Sequence, residues 1–177
     1  MQEKSWENLK NVVKSLEQQK VVILENQNIK TILTPKYRLT VLNLEDVRIS
    51  EGLDISLKTF KIMSKMCFAQ GIRFFVVLIP TKESVFSVAA HGISDFNYSI
   101  LLENERLMWE KTRNYLQAND IDYIYSQPYL QNKLLHGPQP YFHNDDGHPN
   151  NYGCQAIAEG VGDFFKKNPA ALLGPVD

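Results

Sequence analysis

The sequence predicts an α/β fold in which helices cover a parallel β-sheet. Two observations lead to this class. A helical pattern, a Gly or Asn-Asp stop and a short apolar strand follow one another twice, over residues 50–80 and 101–125. This succession is how αβ units build a parallel sheet. The run Arg73–Pro80 is almost continuously apolar, as is typical of a strand covered on both faces. The predicted sheet contains Phe74–Ile79 and Ile121–Tyr125.

Composition restricts the class of protein. With 177 residues, 44% hydrophobic and 22% charged, the chain has the size and character of one globular domain. A formal net charge of −1 gives no reason to expect a nucleic-acid partner. Cys67 and Cys154 are distant and lack CxxC spacing, so we expect two buried thiols rather than a disulfide framework. No leader segment follows Met1 and no stretch approaches about 20 apolar residues, so we expect no membrane insertion.

The N-terminal third is predicted to be a helix followed by a β-arm. Apolar residues at helical spacing predict a helix over Trp6–Gln19. Two β-branched runs, Lys20–Leu24 and Ile29–Leu33, predict strands joined by a turn, and alternation predicts an extended segment over Tyr37–Leu44. Residues 1–48 would then cover or extend the sheet.

Residues 49–177 are predicted to carry the α/β unit, and we expect them to form one structural unit with residues 1–48. Ser50 is the predicted N-cap of a helix that ends at Gly71. Later helices are predicted over Leu101–Ala118 and Tyr152–Phe165. Two segments rich in polar and turn residues are predicted to lack regular structure. These are Val88–Ser99 and Gln127–Pro149.

The densest group of reactive side chains lies in residues 143–150, His-Asn-Asp-Asp-Gly-His-Pro-Asn, just before the last helix. Open α/β sheets place their sites in loops at the carboxyl ends of strands. An imidazole can take and return a proton at neutral pH when a carboxylate fixes its tautomer. Asp145 and Asp146 are both candidates for that carboxylate, and Pro149 restricts the backbone that aims His148.

This block resembles one known family. Residues 145–150, followed by Gly153 and Ala156-Ile157-Ala158, are similar to the Asp-x-x-His-Pro block that precedes the C-terminal helix of SGNH/GDSL hydrolases. Thr34–Leu39, residues 48–53 and Val77–Glu83 resemble, less specifically, bacterial SGNH-like proteins that modify exported polysaccharides and lipids. Together the resembling segments cover roughly residues 30–166.

The resemblance implies a three-layer, flavodoxin-like SGNH sandwich and an ester hydrolase or O-acyltransferase. It implies His148 as general base and Asp145 as the acid that orients it. Asp146 is the alternative partner, because related acyltransferase-like proteins use Asp-x-His. The implied substrate is an acyl ester or an acylated carbohydrate or lipid, with no metal and no organic cofactor. The parent protein would be exported or tethered to a membrane.

The chain departs from the family at the nucleophile. Neither Gly-Asp-Ser nor Gly-x-Asn-Asp occurs in the 177 residues. These blocks supply the attacking serine and the oxyanion hole, and in the family they precede this stretch. We therefore expect a sandwich that is incomplete at its N-terminal side, an inactive isolated chain and a serine outside it. The alternative is a catalytically inactive carbohydrate-binding or assembly module. The open sheet edge near Phe74 would favour a homodimer.

Simpler interpretations stand beside these roles. Asp145 and His148 could merely cap the last helix, although Asn150 could do so alone. Together with His143 and Asp146 they could also bind a divalent metal, but side chains so close in sequence favour solvation over a preformed site.

Other polar residues have similar alternatives. Lys82 follows the central strand and could contact substrate, or form a solvated surface pair with Glu83. His91 and His136 are expected to be exposed loop residues. A set of tyrosines could stack on sugar, although core or loop-anchoring roles are commoner. These are Tyr123, Tyr125, Tyr129 and Tyr141.

Overall fold

A computed structural model describes residues 6–15 and 21–169 of the chain. In these residues the elements are, in order, α1 (Trp6–Ser15), β1 (Val22–Glu25), β2 (Lys30–Leu33), α2 (Pro35–Leu42), α3 (Val47–Phe68), β3 (Phe75–Leu78), α4 (Lys82–Phe86), a 3₁₀ turn (Ser87–Ala89), α5 (Phe96–Gln117), β4 (Asp122–Tyr125), α6 (Gln127–His136) and α7 (Asn151–Lys167). Residues 16–20, on which the end of the first predicted helix and the start of the first predicted strand fall, lie outside the described residues.

The predicted α/β class and the parallel pairing of the two apolar strands are confirmed. β3 and β4 lie side by side in parallel, with Phe75 opposite Asp122 and Leu78 opposite Tyr125. Within the described residues this sheet has two strands, and β1 and β2 form a separate antiparallel pair. Two parallel strands need a crossover connection between them, and here α4 and α5 lie in the connection from β3 to β4.

The N-terminal hairpin packs into the main core. Asn26 starts its turn, since Asn26 Oδ1 accepts hydrogen bonds from the backbone N of Asn28 at 3.0 Å and of Ile29 at 2.9 Å. The buried side chains of the hairpin lie in one cluster with those of α4, α6 and α7. The cluster includes Leu24, Leu33, Phe86, Leu130 and Ala156. Residues on both sides of position 48 therefore share one core.

The prediction of an extended Tyr37–Leu44 is wrong, because Pro35–Leu42 forms α2. Pro35 occupies the first turn, where its fixed φ favours a helix and its missing N–H costs nothing. The alternation did not report burial: Tyr37 and Val41, four residues apart, both lie on the solvent side. Arg38 and Leu42, also four residues apart, share the adjacent side of the helix, and Leu42 is buried.

Part of the segment predicted to be irregular is also helical. Gln127–His136 forms α6, with a proline in its first turn and with Leu130 and Leu134 buried at i,i+4 spacing. The helix is only ten residues long, so its amphipathic pattern was hard to recognise among the polar residues around it. Residues 137–150, which we call the His148 loop, remain irregular and are joined to themselves by a bridge between Tyr141 and Pro149.

Two helix boundaries and the burial of both cysteines differ from the predictions. α3 begins earlier, since Asp46 and not Ser50 is its N-cap, with Asp46 Oδ1 accepting from Arg48 N at 3.0 Å. α5 likewise begins inside the segment predicted to be a loop, because Asp95 Oδ1 accepts from Tyr98 N at 2.8 Å. Both thiols are free, but neither is buried as predicted, since Cys67 is partly buried and Cys154 is exposed.

Two glycines of α7 differ in the space that a side chain would have. A Cβ at Gly153 would lie 2.3 Å from the Pro140 carbonyl oxygen and 2.7 Å from Pro149 Cβ, whereas a Cβ at Gly162 would meet nothing within 4 Å. We expect Gly153→Ala to lower the free energy of unfolding by about 1–3 kcal/mol, since backbone must move to admit the methyl group. Gly162→Ala should raise it by about 0.5–1 kcal/mol. Urea unfolding measures both, and equal effects would contradict the close approach at Gly153.

Candidate functional site

The His148 loop is held from beneath by one lysine. Lys82, the first residue of α4, follows β3 and extends its ammonium group into the loop. Lys82 Nζ donates to three backbone carbonyl oxygens, those of Phe142 at 2.8 Å, Asn144 at 2.5 Å and Asp146 at 3.3 Å. A single side chain thus satisfies three carbonyls of a segment that has almost no backbone pairing of its own.

The expectation of a solvated Lys82–Glu83 pair is wrong, because the two residues are 2% and 1% exposed. Burial lowers the pKa of Lys82 to about 8, although the nearby carboxylates of Glu83, Asp145 and Asp146 oppose this shift. Thr34 N donates to Glu83 Oε1 at 2.9 Å, so Glu83 also has a structural partner. Contact of Lys82 with substrate stays a prediction, and its ammonium group is directed at the loop.

His148 forms a close pair with Asp146. His148 Nδ1 lies 2.7 Å from Asp146 Oδ1, and the same oxygen accepts the backbone N–H of His148 at 2.9 Å. The hydrogen bond from the His148 backbone N–H, and to a smaller extent the one from the ring, lower the pKa of the Asp146 carboxyl below its usual value. When Nδ1–H donates to this carboxylate, Nε2 is left to accept a proton. The His148 side chain is 92% exposed, so Nε2 is open to a reacting group.

Asp145, the first choice from sequence, is exposed and forms no hydrogen bond with His148 in the described part of the chain. The geometry selects Asp146 through an Asx turn, in which a carboxylate accepts the N–H two residues later and so comes beside the side chain of that residue. The Asp-x-His alternative, not Asp-x-x-His, describes the pairing found here.

Neither aspartate is needed to cap α7. Asn150 Oδ1 accepts from Tyr152 N at 2.9 Å and from Gly153 N at 3.1 Å, which makes Asn150 the N-cap. Asn150 Nδ2 donates to Gln139 O at 2.9 Å and ties the start of the helix to the start of the loop. Capping therefore does not explain the His148–Asp146 pair.

Arg38 of α2 lies against the loop, and sequence reasoning gave it no role. A Cβ at Gly147 would fall 2.1 Å from Arg38 Nη2, so the guanidinium occupies the space that a side chain between Asp146 and His148 would need. Arg38 Nε lies 3.9 Å from Glu83 Oε2, an oxygen that has no hydrogen-bond partner. The Thr34–Leu39 resemblance was the one signal pointing to this segment.

His143 holds the loop to the hairpin rather than facing His148. Its Nδ1 lies 2.7 Å from Lys30 O, and its own carbonyl oxygen accepts from Ile32 N at 3.1 Å. Over residues 6–15 and 21–169, no three His, Cys, Asp or Glu side chains converge on a position that could hold a metal ion. His91 and His136 are exposed, as predicted, but His136 is the last residue of α6 and not a loop residue.

The hydrogen-bond partners of His148 bear on the nucleophile predicted to lie outside the chain. Among the described residues, no serine, threonine or cysteine side chain hydrogen-bonds to His148. The described helices include none that is long and apolar enough to cross a membrane.

Comparison with protein-family models, curated proteins and solved structures gives no match to this chain. The likeness to SGNH proteins consequently rests on the sequence blocks themselves, and a fold alone would not establish activity.

Proposed function

We propose that this chain supplies the histidine–aspartate part of an SGNH-like ester hydrolase or O-acyltransferase, with a serine from outside residues 1–177. The observation that carries the proposal is the 2.7 Å pair between His148 Nδ1 and Asp146 Oδ1, on an imidazole that is otherwise exposed. A carboxylate on Nδ1 and an open Nε2 are what a general base for a hydroxyl nucleophile requires.

In the proposed reaction, His148 Nε2 takes the proton of the serine hydroxyl while the serine oxygen attacks the acyl carbon. The imidazolium, steadied by Asp146, then returns the proton to the leaving alcohol as the ester bond breaks. Water or a sugar hydroxyl next loses its proton to Nε2 and attacks the acyl-enzyme. The acid or the new ester is released and the proton returns to serine. Hydrolase and transferase differ only in this acceptor.

The proposed fold of the complete enzyme is the three-layer SGNH sandwich. β3 and β4 would be two neighbouring strands of its parallel sheet, with the further strands added beside β3. The substrate would be an acyl ester or an acylated carbohydrate or lipid. Lys82 would then act as a positioning residue, because reaching the substrate would require its ammonium to leave three carbonyl oxygens.

Turnover of p-nitrophenyl acetate tests the function. The 177-residue chain is compared with the longer polypeptide encoded by its surrounding reading frame, each with and without His148→Ala. Activity found only in the longer polypeptide, and lost with His148→Ala, supports the proposal. Activity of neither polypeptide, or activity that survives His148→Ala in the longer one, overturns it.

A second candidate function is a catalytically inactive carbohydrate-binding or assembly module. The lack of a hydroxyl or thiol hydrogen-bonded to His148 within the described residues favours it. The two candidates are separated by the same assay, since the module would bind sugar but leave the ester intact in either length of chain.

We further propose that the isolated chain forms a homodimer through its open sheet edge. In the described residues β3 pairs only with β4, so its other edge has free backbone groups. The neighbouring helix α3 has one buried residue, Leu57, and an apolar stripe on its outer side. In this stripe Ile55, Ile62 and Met66 are 64%, 58% and 66% exposed. In the proposed dimer a two-fold axis beside β3 pairs the strand with its copy, and the α3 stripe of each chain packs against the other chain.

We expect sedimentation of the isolated chain to give twice the monomer mass. Ile62→Glu should produce monomers, because it puts a charge into the stripe. Val41→Glu, at a valine of α2 that is 57% exposed, is the matched control and should leave the dimer intact. A monomeric wild-type chain, or equal behaviour of the two variants, would contradict the proposed interface.

A further inference from the structure

A pocket lies outside the His148 loop. It is a pocket of about 240 Å³ between α4, α5 and the end of β4, and its polar and aromatic lining includes Ser84, Ser87, Trp109, Arg113, Tyr125 and Gln127. Tyr125 is the last residue of β4. The pocket is thus at the carboxyl end of the parallel strands, where open α/β sheets bind their ligands.

One wall of the pocket is aromatic and fixed. The rings of Trp109 and Tyr125 meet edge to face, with centroids 6.1 Å apart. Trp109 Nε1 donates to Glu105 Oε1 at 3.0 Å, and Glu105, only 1% exposed, also accepts from Thr81 N at 2.7 Å. A buried carboxylate anchored at the end of β3 therefore sets the orientation of the indole. Such a wall suits the apolar face of a ring-shaped ligand.

The pocket contains two arginines, and only one of them has its charge neutralised. Arg106 bonds Glu103 at 2.8 Å and Glu110 at 3.0 Å. Arg113 has no carboxylate within ion-pair distance in the described part of the chain. Its guanidinium carbon lies 5.3 Å from the centre of the Tyr125 ring, and its Nε donates weakly to Trp109 O at 3.3 Å. Both Nη groups of Arg113 remain for a planar anion.

The remaining lining can bond hydroxyl groups. Ser87 Oγ donates to Ser84 O at 2.8 Å and keeps its lone pairs for another donor. Gln127 Oε1 is bonded to the Tyr125 hydroxyl, which holds the amide at the rim. The volume is below the roughly 300–1,000 Å³ of sites for drug-sized molecules, so it selects a ligand of about one ring.

We propose that this pocket binds a monosaccharide-sized ligand that carries one anionic group, with Arg113 holding the anion and Trp109 and Tyr125 contacting the ring. The site is distinct from the proposed esterase site, because none of its residues belongs to the His148 loop. The proposed binding goes beyond the ester chemistry and does not depend on it.

Calorimetric titration of the 177-residue chain with glucuronate, glucose 6-phosphate and glucose tests the proposal. We expect saturable binding of at least one of the two anionic sugars, and glucose weaker by about tenfold or more, the scale of one charge-assisted contact. The two anionic sugars distinguish a carboxylate from a phosphate ligand. Quenching of Trp109 fluorescence in a Trp6→Phe background reports whether the ligand reaches the pocket.

Arg113→Gln should weaken the anionic sugar by about tenfold or more and leave the weak binding of glucose unchanged. Arg113→Lys, which keeps the charge and loses the planar fork, should fall between the two. Arg106→Gln is the matched control, at an arginine of the same pocket that is already paired, and should change binding by less than about threefold. Equal binding of glucose and both anions, or equal effects of the Arg113 and Arg106 variants, would overturn the proposal.

Discussion

We expect replacing Asp146 with Asn to lower p-nitrophenyl acetate hydrolysis by about 10³–10⁴-fold in the proposed serine-containing polypeptide, since the negative charge that steadies the His148 imidazolium is lost. The substitution is nearly isosteric, and the amide oxygen still accepts the His148 N–H that sets the turn. The loss therefore reports the carboxylate charge beside His148 Nδ1 and not a change in the position of the loop. Initial rates over a range of substrate concentrations separate kcat from KM, and kcat carries the loss.

Asp145→Asn is the matched control for this prediction. It makes the same chemical change one residue earlier, at an exposed carboxylate without a bond to His148, and should alter the rate by less than about threefold. A large loss at Asp145 with little at Asp146 would restore the Asp-x-x-His assignment. Large losses at both positions would mean that the loop rearranges when the serine-bearing segment is present.

We expect Lys82→Met to lower the free energy of unfolding by about 3–5 kcal/mol at pH 7. This is the usual cost of removing one partner of a buried charged interaction. The methionine leaves three loop carbonyl oxygens without their donor. It also leaves the buried Glu83 with Arg38, whose Nε lies 3.9 Å from Glu83 Oε2. Lys36→Met on α2, at an exposed lysine, should change the free energy by less than about 0.5 kcal/mol. Urea unfolding at pH 7 measures both, and a cost at Lys82 below about 1 kcal/mol would contradict its role.

The pH dependence of this effect has a definite sign. Burial lowers the pKa of Lys82 from 10.5 to about 8, so between these two pH values the unfolded chain binds more protons than the folded chain. The contribution of Lys82 to the free energy of unfolding consequently rises with pH over this window. The difference between wild type and Lys82→Met should be larger at pH 9.5 than at pH 7.5. Parallel pH profiles would show that Lys82 titrates as a solvated lysine.

The sequence predicted the elements that depend on hydrophobic periodicity and on local start and stop residues. The run at Arg73–Pro80 and the Ile121–Tyr125 strand were recognisable because a buried parallel strand must be apolar on both faces. Gly71, with φ of +67°, ends the segment after α3 as predicted, since a left-handed residue there favours glycine. The position of His148 before a capped helix was readable for the same local reasons.

The sequence could not predict what depends on tertiary contacts. Lys82 and Glu83 look like a surface pair until the His148 loop folds over them and removes water from both. Arg38 enters the site only because α2 is a helix, and a short alternating pattern could not distinguish helix from strand there. The choice between Asp145 and Asp146 depended on a turn that is set by a side chain and not by spacing.

The contacts between His143 and the hairpin also bear on aggregation. The outer edge of β2 has Lys30 O bonded to His143 Nδ1, Ile32 N bonded to His143 O, and Lys30 N bonded to Gln139 Oε1 at 3.2 Å. These are the backbone groups that a foreign strand would use for pairing. The loop that presents His148 therefore also covers the backbone edge of β2. A substitution that releases this loop would impair solubility together with the proposed catalysis, so a loss of activity there needs a solubility measurement beside it.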